Sequence, residues 1–229
     1  MTKLILTTLA CLCIFFPNDD PHLYMRERMV KTQIKNRGIE NKATLNSMSK
    51  VERHQFVPEN LKNEAYDDNP LPIGFGQTIS QPYIVAYMTA AINPQANHKI
   101  LEIGTGSGYQ AAVLAEIVKE VYTIEIVEEL FSSAKKRIER LGYKNIKLKY
   151  TDGYYGWKEA APFDAIVVTA AAEYIPPPLL EQLKDGGKMI IPIGTPFLHQ
   201  NLVLVEKSGK DFTTVSLLPV RFVPFTRKK

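Results

Sequence analysis

The sequence predicts an α/β fold built on a doubly wound, mostly parallel sheet. Short apolar segments alternate with helical segments from residue 98 onward, and a glycine-rich turn at residues 104–108 joins one such segment to a helix. Ser208, Gly209 and Lys210 separate two further strand-like segments near the C-terminus. Parallel strands need long crossovers, whereas short glycine-containing turns join antiparallel strands. We therefore expect a parallel sheet that ends in an antiparallel hairpin.

The first part of the chain predicts helices that precede the sheet. Residues 24–37 carry a partial apolar stripe that stops at Gly38, and residues 41–51 form a second helical segment. Residues 67–77 are rich in Pro and Gly, which predicts a loop. A third helix is expected from about residue 80 to residue 92, with Ser80 as its N-cap and Pro82 in its first turn. These helices would form an N-terminal helical cap on the sheet.

The remaining segments follow the strand–helix alternation that a doubly wound sheet requires. Gly142 ends one predicted helix, and prolines at residues 176–178 open another. The predicted strands cover residues 98–103, 121–125, 145–150, 163–169, 188–193, 202–206 and 212–218. The predicted helices between them cover residues 109–118, 128–141 and 176–183.

Length and composition favour one soluble domain, which we place at residues 25–229. The chain has 229 residues and a formal net charge of +4, without the dense basic stripe and interleaved aromatics of a nucleic-acid-binding surface. Its two cysteines, Cys11 and Cys13, both lie near the N-terminus. That distribution excludes a disulfide framework and a cysteine nucleophile in the body of the protein. The four histidines show no ligand spacing, so we expect no metal site.

Residues 1–20 form an apolar leader that we set apart from the domain. Lys3 precedes an apolar run at residues 4–16, and Pro17 ends it. The run is short for a bilayer span but has the charge and length of a signal-peptide h-region. The alternatives are a mistaken start site and a loosely packed extension. We predict a cytoplasmic protein, with export to the periplasm as the alternative if the leader is a working signal.

The glycine-rich turn is the first candidate ligand site. Gly104, Gly106 and Gly108 follow a predicted strand and precede a predicted helix, in the spacing G-x-G-x-G. Dinucleotide-binding turns read G-x-G-x-x-G and cradle a pyrophosphate. The compressed spacing therefore favours a nucleoside-type ligand without a pyrophosphate. A tight connection with no ligand is the alternative.

Two acidic residues extend this candidate site along the same edge of the sheet. Glu125 ends the next strand, about twenty residues after the glycines, where a carboxylate can bind ribose hydroxyls. Asp152 and Gly153 follow the third strand, where they could meet an adenine edge or form a plain Asp-Gly turn. All these positions lie at the carboxyl ends of strands, where open α/β sheets bind ligands.

Four motifs give the sequence a close resemblance to the protein-L-isoaspartate O-methyltransferase family. The similarity runs from about residue 25 to residue 226, and the leader lies outside it. Thr151 departs from the family's pattern, since many members have glycine there, but Asp152 is kept. In one-letter code the four motifs are LPIGFGQTISQP at residues 71–82, LEIGTGSGYQ at 101–110, DGYYGW at 152–157 with APFDAIVVTAA at 161–171, and VRFVPF at 220–225.

The resemblance implies a Rossmann-like methyltransferase fold with a seven-stranded sheet of unusual order at its antiparallel end. It also implies S-adenosyl-L-methionine as cofactor, with Ser80 as the catalytic residue. Substrate-binding positions carried over from the family are Ile73, Gly74, Val223 and Thr226. Cofactor-binding positions carried over in the same way are Gln77, Thr78, Ile79, Ser80, Glu102, Gly104, Thr105, Gly106, Ser107, Gly108, Glu125, Asp152 and Gly153.

The implied reaction is methylation of the free α-carboxyl of L-isoaspartyl residues in damaged proteins. It would give S-adenosyl-L-homocysteine and a methyl ester, which closes to a succinimide and so leads to repair. The alternatives are a methyltransferase for a small molecule or RNA, a nicotinamide oxidoreductase, and a non-catalytic binding protein with a decayed site. We expect isoaspartyl proteins and peptides as partners, no nucleic acid, no stable membrane association of the mature domain, and a monomer.

Overall fold

A computed structural model describes residues 20–195 and 199–228. Two sheets and six α-helices make up the described part, joined by short 3₁₀ turns. The helices are α1 (Leu23–Arg28), α2 (Lys42–Lys50), α3 (Pro82–Ala91), α4 (Tyr109–Ala115), α5 (Glu128–Arg140) and α6 (Pro177–Glu181). The strands are β1 (Leu71–Gly74), β2 (Gln77–Ile79), β3 (Lys99–Ile103), β4 (Glu120–Glu125), β5 (Ile146–Tyr150), β6 (Phe163–Val168), β7 (Leu183–Gly194), β8 (Gln200–Ser208) and β9 (Asp211–Val220).

The main sheet has seven strands in the order β5-β4-β3-β6-β7-β8-β9. Strands β3 to β7 run parallel, and β8 and β9 are antiparallel to their neighbours. This confirms the predicted parallel sheet with a C-terminal antiparallel hairpin. Ile103 at the end of β3 pairs with Ile124 of β4 on one side and Val168 of β6 on the other. The carboxyl ends of the three central strands therefore meet at one edge of the sheet.

The central strands are buried because helices cover both faces of the sheet. Every residue of β3 after Lys99 is buried, as is nearly all of β6, which explains their continuous apolar runs. On one covering helix, α5, the buried residues are Leu130, Ala134 and Ile138, spaced four apart along one face. The helix ends before Gly142, whose φ of 79° allows the left-handed turn that stops it.

The N-terminal helices pack onto α3 and α4. The predicted helix at residues 24–37 is helical throughout, but α1 passes into a π-helical segment at Met29–Ile34 and a 3₁₀ turn before Gly38. Asn41 caps α2 by accepting a hydrogen bond from the Thr44 N–H at 2.9 Å. Met29, Ile34 and Met48 are fully buried in one hydrophobic cluster with residues of α3 and α4. The helical cap thus shares a core with the domain that carries the sheet.

Two local predictions were wrong, and both concern the segment before α3. Residues 67–77 are not a plain loop, because β1 and β2 pair antiparallel there as a short ribbon. Positive φ angles at Gly74, Phe75 and Gly76 make the tight turn between them. Ser80 is not the N-cap of α3, since Pro82 occupies the first helical position and Gln81 precedes it as N-cap without a side-chain capping bond. Ser80 is left one residue outside the helix.

The lengths of two other elements also differ from prediction. Strand β7 begins at Leu183, well before the predicted start at residue 188, and α4 ends at Ala115 instead of residue 118. Among the described residues, no helix combines the length and apolarity needed to cross a bilayer. Of the predicted leader at residues 1–20, residues 1–19 lie outside the described residues.

Candidate active site

A cleft of about 580 Å³, open solvent included, lies at the carboxyl ends of β3, β4 and β6. Its walls come from the glycine-rich turn, the end of β4, the β2 strand and the segment after β9. Apolar side chains and backbone dominate, and Glu125 is the only acid among its described lining residues. The lining residues are Gln77, Thr78, Ile103, Gly104, Gly106, Ile124, Glu125, Ile126, Val127, Gly153, Thr169, Ala170, Val223, Pro224, Phe225 and Thr226.

The glycine-rich turn is locked against both neighbouring strands. The backbone N–H groups of Gly104 and Thr105 donate to the Ile124 carbonyl at 2.9 and 3.1 Å. The Thr169 hydroxyl donates to the Gly104 carbonyl at 2.7 Å from the other side. Gly104 has a φ of 97°, and a Cβ there would lie 2.4 Å from the Thr169 Oγ1. Glycine is required at this position by backbone conformation and by the close approach of Thr169.

Glu125 is buried at the edge of the cleft and is held entirely by backbone donors. Its Oε2 accepts the Gly106 N–H at 2.7 Å, and its Oε1 accepts the Ile126 and Val127 N–H groups at 2.9 Å each. These three bonds fix the carboxylate in one orientation. They also engage the Gly106 N–H, which a pyrophosphate-binding turn would direct at phosphate. The cleft therefore fits a nucleoside with a free diol better than a dinucleotide.

Glu102 lies behind the turn and does not line the cleft. Its side chain is fully buried, Thr123 donates to its Oε2, and its Oε1 has no hydrogen-bond partner among the described residues. Burial raises the pKa of Glu102 to about 8, and the negative charge of Glu125 adds to that rise. The group faces a small cavity that Ser80 and Thr105 also line.

Asp152 is bound by the C-terminal end of the chain. Its Oδ1 accepts the Tyr154 N–H at 3.0 Å, and its Oδ2 accepts from the Arg227 Nε at 2.8 Å and the Lys228 N–H at 3.2 Å. The Arg227 guanidinium also stacks over the Tyr154 ring, 3.7 Å from its centroid. The outer oxygen of Asp152 is thus occupied, while Gly153 beside it lines the cleft.

A second cavity adjoins the cleft on the side of the β1–β2 ribbon. On the same measure it has a volume of about 980 Å³, and we call it the groove. The groove and the cleft share Thr78, Thr169 and Val223. Ser80 lines the groove and not the cleft, is half-buried, and makes no side-chain hydrogen bond to the described residues.

The structure brings together many, but not all, of the site residues predicted from the sequence. Those that line the cleft are Gln77, Thr78, Gly104, Gly106, Glu125, Gly153, Val223 and Thr226. Those found in the small cavity behind it, without lining the cleft, are Ile79, Ser80, Glu102, Thr105 and Ser107. Those found in neither are Ile73, Gly74, Gly108 and Asp152. Ile73 still approaches the turn, since a Cβ on Gly106 would lie 3.4 Å from its Cδ1.

Sequence reasoning missed three features of the cleft. Thr169 directly follows β6, so the rule that pointed to Glu125 and Asp152 at strand ends could have found it. Ile126 and Val127 follow Glu125 directly and supply both an apolar wall and two of its donors. Phe225 belongs to the VRFVPF motif, but only the folded chain shows that it reaches the cleft.

A family profile and individual relatives of known name place the chain in the same family. The sequence profile of the family described as protein-L-isoaspartate(D-aspartate) O-methyltransferase matches residues 25–229. The chain is 53% identical over 212 residues to protein-L-isoaspartate O-methyltransferase 2 of Shewanella sediminis, covering 92% of this chain and 87% of the relative. It is 58% identical over 204 residues to protein-L-isoaspartate O-methyltransferase of Opitutus terrae, covering 89% of this chain and 88% of the relative.

Solved structures agree with the sequence matches. A protein-L-isoaspartate O-methyltransferase structure superimposes with a TM-score of 0.81 at 29% identity, over 87% of this chain and 65% of the other, so this chain spans slightly less than two thirds of that protein. A Plasmodium falciparum structure assigned to the same family, solved in complex with S-adenosyl-L-homocysteine, gives a TM-score of 0.76 at 26% identity, over 89% of this chain and 99% of the other. The chain belongs to the protein-L-isoaspartate(D-aspartate) O-methyltransferase family, and its fold, cofactor and reaction class are those of an S-adenosylmethionine-dependent carboxyl methyltransferase.

Proposed function

We propose that the cleft holds S-adenosylmethionine, that the groove holds the isoaspartyl segment of a damaged protein, and that methyl transfer occurs where the two cavities meet. The observation that carries this proposal is their shared wall at Thr78, Thr169 and Val223. A methyl group leaving the cleft there would face a carboxylate in the groove without crossing bulk solvent. Exclusion of water at such a junction favours transfer to the substrate.

Methyl transfer to a carboxylate requires mainly that the protein align the two reactants. S-adenosylmethionine bound in the cleft would supply the methyl group: its C–S bond would break with the electron pair staying on sulfur, and a C–O bond to the substrate carboxylate would form. A carboxylate is already ionised near neutral pH, so no side chain has to remove a proton. Holding the two reactants in line can supply much of the rate enhancement. We therefore assign the residues of this site to binding and positioning roles.

Glu125 is our candidate for holding the ribose hydroxyls. Its three backbone hydrogen bonds preorganise the carboxylate: Oε1 accepts two of them, and Oε2, which accepts one, retains a site for a ribose hydroxyl. The apolar side chains of Ile124, Ile126 and Phe225 border the same cleft and suit the nucleoside rings. For Gln77 and Thr78 we propose contacts to the remainder of the cofactor.

Ser80 is our candidate for positioning the substrate carboxylate. Its hydroxyl lines the groove next to Thr78, and no described residue engages it. A hydroxyl can donate to a carboxylate oxygen and so orient the other oxygen toward the methyl group. Because Ser80 does not cap α3, its side chain is available for this role.

One assay tests the function directly. Peptides of identical sequence that contain either L-isoaspartate or normal aspartate would be incubated with the protein and labelled S-adenosylmethionine. We expect methyl ester formation on the isoaspartyl peptide and little on its aspartyl twin. Equal labelling of both peptides, or labelling of RNA in preference to either, would contradict the proposal.

We keep the prediction of a cytoplasmic location, with export as the alternative. The cytosolic supply of S-adenosylmethionine favours the cytoplasm. The Lys3 charge followed by the apolar run at residues 4–16 favours export. Cell fractionation with mass determination of the N-terminus checks it. A shortened form found outside the cytoplasmic membrane would reverse it. A monomer is likewise our expectation, to be measured by sedimentation.

A further inference from the structure

Arg221 stands at the substrate groove without a role in the proposed transfer. It is exposed, and it is the only residue with a charged side chain among the described residues that line the groove. It forms no ion pair and no side-chain hydrogen bond with another residue in the described part of the chain. A guanidinium that is exposed and unpaired in this way is available to a carboxylate of a ligand.

The position of Arg221 is fixed by its neighbours. Phe222, the next residue, is buried, and its backbone is clamped by the Gln200 side-chain amide: the Phe222 N–H donates to Oε1 at 2.7 Å, and Nε2 donates to the Phe222 carbonyl at 3.2 Å. The Val223 carbonyl then accepts the Ala171 N–H at 2.8 Å. The segment after β9 therefore presents Arg221 at the groove from a rigid backbone.

We propose that Arg221 is a specificity-determining residue that favours isoaspartyl sites with an acidic side chain nearby in the sequence. This inference rests on the proposed function of the groove. Arg221 lines the groove but neither the cleft nor the small cavity behind it, whereas Ser80 lines both the groove and that small cavity, beside the shared wall at Thr78 and Thr169 where the reacting carboxylate must lie. The Arg221 guanidinium thus binds the carboxylate of a residue next to the isoaspartyl residue, and other groups bind the reacting carboxylate. An acidic side chain close to the isoaspartyl residue in the sequence would pair with the Arg221 guanidinium at a partly solvated surface, where ion pairs are weak but selective.

The test uses a family of isoaspartyl peptides of one sequence. Positions within two residues on either side of isoaspartate carry Glu, Gln or Lys in turn, and kcat/KM is measured for each peptide with the full-length protein. We expect Glu peptides to exceed Lys peptides by about three- to tenfold at the position that meets Arg221, as an exposed ion pair allows. The preference should shrink at high salt, because screening weakens exposed charge pairs.

Two variants and a control separate selectivity from stability. Arg221→Gln should abolish the Glu-over-Lys preference while the Gln peptide keeps its kcat/KM within about twofold, and Arg221→Glu should invert the preference. Lys210→Gln removes the same charge from the turn between β8 and β9 and should change nothing. This control lies at the far end of the β9 strand, roughly 30 Å away for a strand of this length.

Each outcome decides the proposal. Loss of the preference in Arg221→Gln with the neutral peptide unaffected supports it, and inversion in Arg221→Glu supports it further. An equal drop of kcat/KM for all peptides in Arg221→Gln would overturn it, as would an unchanged preference or a wild type without one. A wild type that does not distinguish isoaspartyl from aspartyl peptides would instead defeat the proposed function, and this inference with it.

Discussion

Two glutamates on adjacent strands show how the residue environment sets their roles. Glu125, at the end of β4, accepts hydrogen bonds from three backbone N–H groups. Glu102, on β3, has one hydroxyl donor and an oxygen with no partner among the described residues. Burial outweighs the hydrogen bond from Thr123 and raises the pKa of Glu102 to about 8, so Glu102 is largely protonated near neutral pH. Of the two glutamates, only Glu125 lines the cleft.

The raised pKa of Glu102 predicts a pH dependence of stability. The unfolded chain releases this proton near its ordinary pKa of 4.5, whereas the folded protein keeps it until about pH 8. The folded state therefore binds more protons in that window, and the free energy of unfolding falls as pH rises through it. Glu102→Gln removes the titration. Between about pH 5 and pH 8 we expect the stability of the variant relative to wild type to rise by on the order of 4 kcal/mol, since a pKa unit is worth about 1.4 kcal/mol.

Urea unfolding at several pH values measures this difference. Glu159→Gln is a suitable control, because that exposed carboxyl has a lowered pKa from its own backbone and from Lys149, the opposite direction. A constant stability difference between Glu102→Gln and wild type across the range would show that Glu102 does not titrate there.

Glu125→Gln tests the proposed ribose contact. Loss of the charge should weaken S-adenosylmethionine or S-adenosylhomocysteine binding by about tenfold, because hydrogen bonds to charged groups are worth about 1.5–3 kcal/mol. Stability should fall by about 1–2 kcal/mol, since an amide cannot accept from all three backbone N–H groups equally well. Titration calorimetry and thermal unfolding measure the two effects. Unchanged affinity in a folded variant would remove Glu125 from the cofactor site.

Ser80→Ala separates positioning from structure. Because Gln81 is the N-cap of α3, losing the Ser80 hydroxyl should change the free energy of unfolding by less than about 0.5 kcal/mol. If the hydroxyl aligns the substrate carboxylate, kcat should fall by up to about a hundredfold, since a misalignment of about 1 Å can cost that much. Cofactor affinity should stay near that of wild type.

The matched control is Ser132→Ala, which removes the same group from an exposed position on α5. Steady-state kinetics on an isoaspartyl peptide provide kcat for both variants. Near-normal kcat in Ser80→Ala would mean that Ser80 has no part in the transfer.

At the scale of elements, the segment after β9 links three parts of the site. It borders the groove through Arg221, lines the cleft through Val223 and Phe225, and reaches Asp152 through Arg227. Parallel bridging to Ala171, with the Phe225 N–H donating to the Ala171 carbonyl at 2.8 Å, fixes it beside the end of β6. One short stretch of irregular backbone therefore borders both the cleft and the groove.

Arg227→Ala tests the contact at Asp152. If the adenine edge donates to Oδ2 of Asp152, the oxygen that already accepts from Arg227 and Lys228, cofactor binding competes with the Arg227–Asp152 ion pair. Removing the guanidinium should then tighten S-adenosylhomocysteine binding by about two- to fivefold, the range of an exposed ion pair. Titration calorimetry measures this, with Lys144→Ala, exposed in the turn before β5, as control. Weaker binding in Arg227→Ala would show that the segment instead closes over the cofactor.

At the scale of the whole molecule, the α/β alternation and the antiparallel end were predictable from local pattern. Buried strands such as β6 are continuous apolar runs, and α5 carries its apolar residues four apart. The candidate cleft was also predictable in outline, because glycines and acids placed after strands must meet at one edge of a parallel sheet. The β1–β2 ribbon was not predicted, since three or four residues around a glycine turn carry too little periodicity to distinguish a strand from a loop.

The sequence by itself determined the family, the class of fold and the edge of the sheet where the candidate cleft lies. Those features depend on residues close together in the chain, whose spacing dictates helix, strand or turn. Only the tertiary structure decided that Arg227 binds Asp152 across 75 positions, that Thr169 packs on Gly104, and that Glu102 is buried with an unpartnered oxygen. These features depend on contacts between distant segments and on the exclusion of water around them, and local pattern contains neither.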